Sequence, residues 1–457
     1  FGGANWEGEM GKALFQRFPF VDHVCQGEAD ESFPALVAAL ARGDAAPAIA
    51  GVLSREGPPA LPAKPVTALD DTAYPDFSAF FETHARVAPS EPPVLLMETS
   101  RGCWWGAKHH CTFCGLNGQG MGFRSKSAQR AVDELRHLTQ EHEVPIVSMV
   151  DNILDMKYFD TVLPEIAATP ETPVLFYETK ANLSRKQIGQ LAEARVLTIQ
   201  PGIESLSDRV LKLMRKGTTG LRNIQLLKWC RELGISVEWN ILYGFPGETD
   251  TDYDRTLDLM PQLAHLQPPS GSGPVRIDRF SPYFETPEAF GITKLRPLPV
   301  FEYLYPFDEA TRARIACYFE AEYKTTIASP ETVDRIMGAI DAWQAASHGH
   351  LNVEDTGDAL AISDTRHGAA ATHLLQGPDR LIYLICDQIT AARSVVQKLE
   401  RLGAGSYDKA DVTAYLDRLV DAGLMVSDDG LYLALGVYDR FPTGWDRAVT
   451  PERIAAE

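Results

Sequence analysis

The stretch that sets this chain apart reads Glu98-Thr-Ser-Arg-Gly-Cys103-Trp-Trp-Gly-Ala-Lys-His-His-Cys111-Thr-Phe-Cys114-Gly-Leu-Asn-Gly118. It holds three of the chain's seven cysteines within 12 residues. An even scatter of the seven would place about 0.2 in such a window, so the cluster needs a chemical reason. The apolar run that begins at Val94 directly precedes the stretch and predicts a β-strand. The three thiols are therefore expected on a loop that leaves a strand.

The surrounding chain has the composition of an ordinary soluble protein. It has 457 residues and a formal net charge of −19, from 43 Lys and Arg against 62 Asp and Glu. Phosphate backbones are bound by Lys and Arg, so this charge predicts no nucleic-acid partner. No apolar run approaches the roughly 20 residues of a membrane helix, which predicts no membrane partner. The start, Phe1-Gly-Gly-Ala-Asn5, has neither Met nor a signal sequence, and we expect an internal start of a cytoplasmic protein.

Strand and helix patterns alternate on both sides of the cysteine stretch. The apolar runs that predict strands are Val94–Thr99, Ile146–Val150, Val174–Tyr177, Val196–Ile203, Ile235–Tyr243 and Val275–Tyr283. Helical patterns lie between them; one begins at Ser127, one opens with Ser184 and Gln187 in capping-box spacing, and one spans Leu221–Leu233. Repeated β–α units predict a parallel sheet, and six of them fit a partial (β/α)6 TIM-like barrel. A doubly wound open sheet gives the same alternation and stays an alternative.

The predicted strands end in polar residues, where barrels of this kind carry their chemistry. Those residues are Glu98, Asp151, Glu178, Glu204, Asn240 and Arg279.

The flanking regions divide the chain further. We expect the C-terminal part of a Rossmann-like α/β domain at 1–65, a Pro- and Ala-rich linker at 66–92, the barrel at 93–290, a helical extension at 291–370 with helices Ala310–Tyr323 and Pro330–Ser347, and a winged-helix-like domain at 371–457. The last assignment rests on a helix, helix, helix, hairpin order, in which Asp408–Ala422 is the third helix.

Three close thiolates suit an iron–sulfur cluster, and three rather than four leave one iron open to another ligand. The alternative is structural zinc, with His109 or His110 as fourth ligand. From Thr99 to Val132 there is no acidic residue, and five basic residues are present, which suits an anionic cluster and an anionic ligand. These five are Arg101, Lys108, Arg124, Lys126 and Arg130. The other four cysteines, at 25, 230, 317 and 386, are expected to be core thiols.

A three-cysteine loop after the first strand of such an array, ending Cys111-Thr-Phe-Cys114, resembles the radical S-adenosylmethionine (SAM) superfamily. The spacing is Cys-x7-Cys-x2-Cys, whereas Cys-x3-Cys-x2-Cys is commonest in the superfamily. The surrounding motifs resemble one branch, the cobalamin-binding maturases of ribosomally synthesised and post-translationally modified peptides (RiPPs). Those motifs include Phe123-Arg-Ser-Lys-Ser127, Val150-Asp-Asn-Ile-Leu-Asp155, Tyr177-Glu-Thr-Lys-Ala-Asn182, Gly202-Ile-Glu-Ser205, Tyr243-Gly-Phe-Pro-Gly-Glu-Thr249 and Arg279-Phe-Ser-Pro-Tyr283.

The resemblance implies a 4Fe–4S cluster on Cys103, Cys111 and Cys114, with SAM on its open iron. It also implies SAM contacts from the residues that match the superfamily's strand-end positions. These are Phe113 by the adenine, Asp151 and Asn152 by the methionine amine, Glu178 and Lys180 at the third strand end, Glu204 and Ser205 by the ribose and methionine, and Arg215 or Lys216 by the methionine carboxylate. Gly2 and Gly3 resemble the glycine pair that approaches the lower ligand of cobalamin, although no Asp-x-His-x-x-Gly precedes them in this sequence.

The function that the resemblance implies is cobalamin-dependent C-methylation of an unactivated carbon in a precursor peptide. The alternatives are crosslinking, epimerisation or rearrangement of a peptide without methyl transfer, and a non-catalytic module held by zinc. The implied partners are the precursor peptide and an electron donor such as flavodoxin or ferredoxin. The C-terminal domain resembles those that bind a leader segment, and a structural lid is the other interpretation.

Overall fold

The centre of the fold is a sheet of five parallel strands, which we call the core sheet. This computed structural model describes residues 1–57, 61–116, 118, 120–169, 172–346 and 349–439. In spatial order the strands are Val94–Met97, Ile146–Met149, Val174–Glu178, Val196–Gln200 and Ser236–Val237. Each follows its neighbour along the chain through a helical crossover, so the α/β fold with a parallel sheet that the alternation predicts is confirmed.

The two faces of the core sheet differ in exposure. Along its first strands the odd-numbered residues, such as Leu95 and Met149, are buried against helices. The even-numbered ones face the concave side, which we call the lumen, and there Leu96 is 49% and Val150 50% exposed. Since side chains alternate between faces along a strand, residue parity decides which strand-end groups reach the lumen.

The fifth and sixth predicted strands are partly wrong. The run Ile235–Tyr243 is split into Ser236–Val237 in the core sheet and Ile241–Tyr243, which pairs in parallel with Ser272–Pro274 as a separate two-stranded sheet. The sixth strand is therefore not Val275–Tyr283. That run contains the short strand Ile277–Asp278 and the helical turn Pro282–Glu285. Ser281 caps this turn by accepting from the Phe284 N–H at 3.3 Å, and Pro282 has no N–H to give to a strand ladder.

The crossover helices begin at the predicted capping residues. Ser127 accepts from the Arg130 N–H at the start of Ala128–Glu141. Ser184 and Gln187 form a capping box at the start of Arg185–Glu193. The remaining helices of this region are Gly106–His109, Val162–Ala167, Asp208–Leu213, Gly220–Glu232 and Thr251–Leu259, with 3₁₀ turns at Met156–Phe159 and Met260–Leu263. No helix within the described ranges is long and apolar enough to cross a bilayer.

The N-terminal segment forms an α/β unit. Its elements are the helices Gly8–Arg17 and Ala29–Ala41 and the antiparallel strands His23–Cys25 and Val52–Ser54. Phe1 donates its terminal N–H to His23 O at 3.0 Å and accepts from Cys25 N–H at 2.8 Å, the pattern of a parallel bridge. The predicted linker, 66–92, is not extended throughout, because Ser78–Val87 is a helix. It is anchored where Phe81 stacks on His142 at 4.1 Å.

The prediction of a helical extension at 291–370 is wrong. This region alternates helices with strands: helices Val300–Leu304, Glu309–Ile315 and Pro330–Ala346, and strands Ile292–Pro297, Tyr318–Tyr323, Leu351–Asp355 and Ala359–Asp364. The predicted helix Ala310–Tyr323 ends at Ile315, and Tyr318–Tyr323 pairs with Ile292–Pro297. The strand Tyr318–Tyr323 is only half-buried and carries two glutamates, so its alternation is weak in the sequence.

The predicted helix, helix, helix, hairpin order is present near the C-terminus. Its elements are helices Gly377–Ile385, Ala392–Arg401 and Lys409–Asp421 and strands Met425–Asp428 and Leu431–Ala434, joined by the short strand Thr390–Ala391. Strands Ala371–Gln376 and Val437–Tyr438 complete a separate four-stranded sheet. Residues 440–457 of the predicted C-terminal domain lie outside the described residues.

A buried group of charges fastens this C-terminal region to the helices behind the core sheet. We call it the junction cluster; its members are Arg185, Lys228, Glu232 and Asp387. Lys228 Nζ lies 2.5 Å and Arg185 2.9 Å from the two carboxylate oxygens of Asp387. Arg185 also lies 2.6 Å from Glu232. Two positive and two negative groups are thus matched inside the protein.

Candidate active site

The cysteine loop, Cys103–Cys114, leaves the carboxyl end of the first core strand. A two-residue ladder between Ser100–Arg101 and Arg124–Ser125 closes its base. Within it, the turn Gly106–His109 begins where the Gly106 N–H donates to Cys103 Sγ at 3.3 Å. The three thiols are half-buried. Cys111 and Cys114 interact electrostatically with each other and with Cys103, so the three thiols lie near one another at the strand-end side of the sheet.

The thiols lie in a desolvated setting beside lysines. Burial raises the pKa of Cys111, and the charges of Lys216 and Lys180 partly oppose that rise. Burial raises the pKa of Cys114 to about 11. Thiols of this kind ionise when a metal takes the place of the proton, because the thiolate is the metal ligand.

The two histidines of the loop have other partners. His110 Nε2 lies 2.9 Å from Cys114 O, and the His109 ring lies 4.2 Å from that of Trp105. Across the part of the chain that the structure describes, no three His, Cys, Asp or Glu side chains converge as ligands of a single metal ion. That holds for the three thiols as well, and with both histidines engaged elsewhere the candidate donors on the loop are these thiols alone, a number that suits a cluster with one open iron better than four-coordinate zinc.

An ion pair stands beside the thiols at the end of the fourth core strand. Lys216 Nζ lies 2.8 Å from Glu204 Oε2, and both side chains are 14% exposed. A Cβ at Gly202 would lie 2.7 Å from Lys216 Nζ, so a side chain there would push the ammonium from its place, and the φ of 59° also favours glycine. A carboxylate and an ammonium held this close to the thiols can pair with the amine and the carboxylate of an amino-acid ligand.

The ion pair also shifts the titration of its members. Burial alone would lower the pKa of Lys216, but the Glu204 carboxylate and the nearby Cys111 outweigh it and raise the pKa above its ordinary value. Glu204 and Arg215 both have left-handed backbone, with φ of 48° and 58°. Non-glycine residues keep such angles only where the surrounding structure enforces them, and they concentrate at functional sites.

Glu178 ends the third core strand and Lys180 follows it, and burial shifts the pKa of both side chains. Burial, with the Glu204 charge, raises the pKa of Glu178 to about 7. Burial, with the Lys216 charge, lowers the pKa of Lys180 to about 8. Lys180 donates to Lys216 O and places Nζ 3.7 Å from the centre of the Trp105 ring. We call Glu178, Lys180, Glu204 and Lys216 the mouth cluster.

Asp151 and Ser205 have structural contacts that the strand-end prediction did not foresee. Asp151 is fully buried and accepts from Thr99 N–H at 2.6 Å and Ser100 Oγ at 2.8 Å. Burial raises the pKa of its carboxyl to about 6. Ser205 is buried too, and its Oγ accepts from Ser207 N–H at 3.1 Å. The oxygens of Asp151 thus brace the start of the cysteine loop, and its contact with a ligand amine stays a prediction.

The other predicted positions divide between the lumen and the scaffold. Asn152 is half-buried, while Arg215 is exposed with its guanidinium 5.5 Å from the centre of the Phe290 ring. Phe113 packs edge-on against Phe245 at 5.8 Å. Lys216, rather than Arg215, is therefore the cation beside the thiols. Of the remaining strand ends, Asn240 is exposed and Glu98 binds Arg101, whereas Arg279 is buried and donates to Ala313 O and Ala316 O.

The basic stretch is paired within the protein, which corrects the expectation that it attracts an anionic ligand. Arg101 contacts Glu28, Asp30 and Glu98. Arg124 also contacts Glu28, and Lys126 and Arg130 share Glu134. Four of the five basic residues therefore bind carboxylates from outside the stretch. Two of these carboxylates belong to the N-terminal segment, so the stretch fastens that segment to the barrel.

Gly2 and Gly3 lie at the surface of the N-terminal segment. Gly3 has φ of 89°, and the space where its Cβ would stand is open. The same segment reaches the cysteine stretch, since a Cβ at Gly118 would lie 3.3 Å from Glu7 Cγ. Sequence reasoning missed Trp105 and Gly217, which touch each other beside Lys180. The unusually long spacing of seven residues between Cys103 and Cys111 could have indicated such a contact, because the additional residues must pack against another part of the protein.

The comparisons with known proteins agree with this geometry. Residues 97–260 match the family described as the Radical SAM superfamily. An uncharacterised methyltransferase of Pyrococcus horikoshii is 24% identical over 252 residues, which cover 54% of this chain and 54% of that protein. A tRNA-2-methylthio-N(6)-dimethylallyladenosine synthase of Methylococcus capsulatus is 28% identical over 228 residues, covering 45% of this chain and 46% of that protein. The chain thus spans about half the length of these curated relatives.

Among solved structures, the radical SAM methyltransferase TsrM of Kitasatospora setae, with cobalamin and a 4Fe–4S cluster bound, superposes with a TM-score of 0.55 at 17% identity. The superposition covers 73% of this chain and 70% of that one. Over residues 97–260 the match agrees with the superfamily that the cysteine loop resembles. The RiPP branch stays a prediction.

Proposed function

We propose that this chain, whose residues 97–260 match the radical SAM superfamily, methylates an unactivated carbon with the help of cobalamin. The observation that carries the proposal is the proximity of Cys111 and Cys114 to the Lys216–Glu204 pair at the strand-end side of a parallel sheet. The methyltransferase of Pyrococcus horikoshii and the fold of TsrM support methyl transfer over other radical reactions.

The roles of the chain's own residues follow from their contacts. Cys103, Cys111 and Cys114 would hold a 4Fe–4S cluster, because they form a three-thiol set whose neighbouring histidines are engaged elsewhere. Lys216 would bind the carboxylate of SAM and Glu204 its amine or ribose. When bound, the cluster and SAM supply a 5′-deoxyadenosyl radical, and cobalamin supplies a transferable methyl group.

The lumen supports this assignment of roles. Leu96 and Val150 give it an apolar, accessible wall on the first two strands. Glu178 stands at the rim with a pKa near neutrality, so it can hold or release a proton there. An apolar wall excludes water from a reactive carbon, which a radical reaction requires.

Cobalamin is assigned to the N-terminal segment. The open space at Gly3 fits a bulky ligand that approaches the backbone there, since no side chain stands in the way. The ion pairs of Arg101 and Arg124 with Glu28 and Asp30 would hold that segment at the cysteine stretch. A methyl donor bound at Gly2 and Gly3 therefore belongs to the same side of the molecule as the thiols.

The substrate we propose is a ribosomally made precursor peptide, with a flavodoxin or ferredoxin as electron donor. The peptide assignment rests on the branch-specific motifs of the sequence and on the C-terminal helices and hairpin, which resemble leader-binding domains. The net charge of −19 disfavours a tRNA substrate of the kind that the Methylococcus capsulatus relative is named for.

The test uses the full chain, reconstituted anaerobically with iron, sulfide and hydroxocobalamin, and supplied with SAM, a reductant and a precursor peptide encoded beside it. We expect about four irons per chain, a protein-bound cobalamin spectrum and a peptide heavier by one methylene. One zinc and no iron would overturn the radical SAM assignment. A peptide that loses two hydrogens or keeps its mass would overturn methyl transfer and support crosslinking or epimerisation.

A further inference from the structure

Trp105 makes three contacts that none of the functional assignments uses. Its Nε1–H donates to Arg215 O at 3.2 Å. Lys180 Nζ stands over its ring at 3.7 Å. A Cβ at Gly217 would lie 2.2 Å from its Cη2, so the indole occupies the space that a side chain there would need. We call this arrangement the Trp105 clamp: Trp105 held between Lys180 and the turn Arg215–Gly217.

The clamp belongs to the part of the cysteine loop that the seven-residue spacing adds. Trp105 O accepts from the N–H groups of Lys108 and His109, at 3.1 and 2.8 Å, and so forms the turn Gly106–His109. The His109 ring rests on the indole at 4.2 Å. The segment between Cys103 and Cys111 is thus folded around one tryptophan, and that tryptophan binds a different part of the barrel.

The turn on the other side of the clamp carries Lys216. Arg215 and Gly217 flank it with φ of 58° and 62°; glycine adopts such an angle readily, whereas Arg215 needs contacts from the surrounding structure to keep it. Arg215 O is held by Trp105 and Lys216 O by Lys180. Lys180 therefore binds both the indole and the backbone that positions the Lys216 ammonium.

We propose that Trp105 is a positioning residue that couples the cysteine loop to Lys216, so that the affinity for SAM depends on the clamp. The inference rests on the proposed function for its ligand and deepens it. A loop that is free to shift would move Cys103 and Cys111 relative to Lys216, although each group would still be present. SAM must reach the cluster and Lys216 at once, and a displacement of about 1 Å is enough to weaken such a two-point contact.

The experiment measures SAM binding rather than turnover. Full-length Trp105→Ala, Gly217→Ala and Lys180→Met are reconstituted anaerobically and reduced, and the electron paramagnetic resonance spectrum is titrated with SAM. We expect the dissociation constant to rise about tenfold in Trp105→Ala and Gly217→Ala, with about four irons retained. Lys180→Met should weaken SAM binding less, and Lys180→Arg should restore it because a cation again lies over the indole. Lys212→Met, an exposed lysine just before the turn, is the matched control.

Hydrogen–deuterium exchange on the same proteins before reconstitution tests the clamp without any cofactor. Amides of residues 104–110 and 213–218 should exchange about tenfold faster in Trp105→Ala and Gly217→Ala than in the wild type and Lys212→Met. Wild-type exchange and wild-type SAM affinity in either of the two variants would overturn the inference. Iron lost from both but kept in Lys212→Met would also overturn it, since the clamp would then be needed to hold the cluster rather than to align the cluster with Lys216. A wild-type protein that binds neither iron nor SAM would refute the proposed function, while the exchange data would still decide on the clamp.

Discussion

The mouth cluster and the junction cluster both bury two acids and two lysines or arginines, yet they are built differently. In the junction cluster the ion pairs are 2.5–2.9 Å long and Lys228 is fully buried. Three of its four members belong to helices, so their backbone is relaxed. In the mouth cluster the only ion pair is Lys216–Glu204 among the described contacts, and Glu204 has left-handed backbone.

The comparison shows which buried charges are available for chemistry. Charges that satisfy one another inside a protein hold elements together and have no capacity left for a ligand. Charges that remain partly exposed, on backbone that the fold forces into an uncommon angle, can still reach a ligand. By this criterion we expect the mouth cluster to bind a ligand and the junction cluster, whose Lys228 and Asp387 are buried, to hold elements together.

The largest expected effect tests the side of the comparison that binds. Cys111→Ala removes one of three cluster ligands, and we expect 5′-deoxyadenosine formation to fall at least about 100-fold, together with loss of iron. Iron analysis and chromatography of the SAM products measure both. Cys230→Ala is the matched control, because that thiol is fully buried on a helix behind the core sheet and should leave the iron content unchanged. Normal SAM cleavage by Cys111→Ala would misplace the cluster.

The next effect tests the fastening. Asp387→Ala leaves Lys228 and Arg185 buried without their shared carboxylate, and should lower the free energy of unfolding by about 3–5 kcal/mol. Denaturant titration measures it, with Asp258→Ala, an exposed aspartate, as the control that should stay within about 0.5 kcal/mol. The iron content per folded molecule should not change. A loss below about 1 kcal/mol would show that the junction is not a closed set of charges.

A smaller effect comes from His265, which is buried beside the junction and contacts Leu435 O at 2.9 Å. Burial, and then the charge of Arg366, lowers its pKa to about 3. Between pH 6.5 and 3 the imidazole of His265 binds a proton in the unfolded chain but not in the folded chain, so the free energy of unfolding falls as the pH falls. The loss attributable to this group is about 2 kcal/mol at pH 5 relative to pH 7.

Denaturant titrations of the wild type and His265→Gln at pH 7 and pH 5 check this sign. The variant should lose less stability on acidification, because it has no imidazole to protonate. His137→Gln, at an exposed helix position, controls for the loss of a histidine elsewhere. Parallel pH profiles for the wild type and His265→Gln would contradict the assignment.

The smallest effect is expected at the surface. Arg255 lies 2.6 Å from Asp428 of the C-terminal hairpin, with both side chains partly exposed. Arg255→Ala should cost no more than about 1 kcal/mol, because water and salt screen such a pair. Thermal melts in low and high salt measure it. A loss of unfolding free energy as large as that of Asp387→Ala would contradict the view that the exposed pair contributes much less to stability than the junction cluster.

Local features of the sequence predict the cysteine loop, the helix-capping serines Ser127 and Ser184 and the first four parallel strands correctly, because each depends on neighbours within a few residues. Asp151 could have been placed as well. It follows Met149 by two residues, so the alternation that buries Val147 and Met149 also turns Asp151 away from the lumen. The predicted sixth strand is wrong at its end because Ser281-Pro282 begins a helical turn and does not continue a strand.

Other features could not be predicted from local pattern. The partner of Arg124 is Glu28, 96 residues away, and nothing near Arg124 in the sequence shows that its charge is already neutralised. The positioning role inferred for Trp105 likewise depends on its contacts with Lys180 and Gly217, which come together only in the folded chain. Such long-range pairings decide which charges remain free, and so the character of the site depends on tertiary structure.

Among the described residues the core sheet does not close into a complete barrel. Within the described ranges, Val94–Met97 pairs on one side alone, and the wall is interrupted again between Val237 and Ile241. A sealed barrel admits a guest only end-first through its rim, and the guest must be no longer than the well is deep. A wall with a gap works as a slot, through which the middle of a long chain can be laid sideways while both of its ends remain outside. Which position of a long ligand can enter is then decided by where the ligand can bend into the gap, and not by how far that position lies from its terminus.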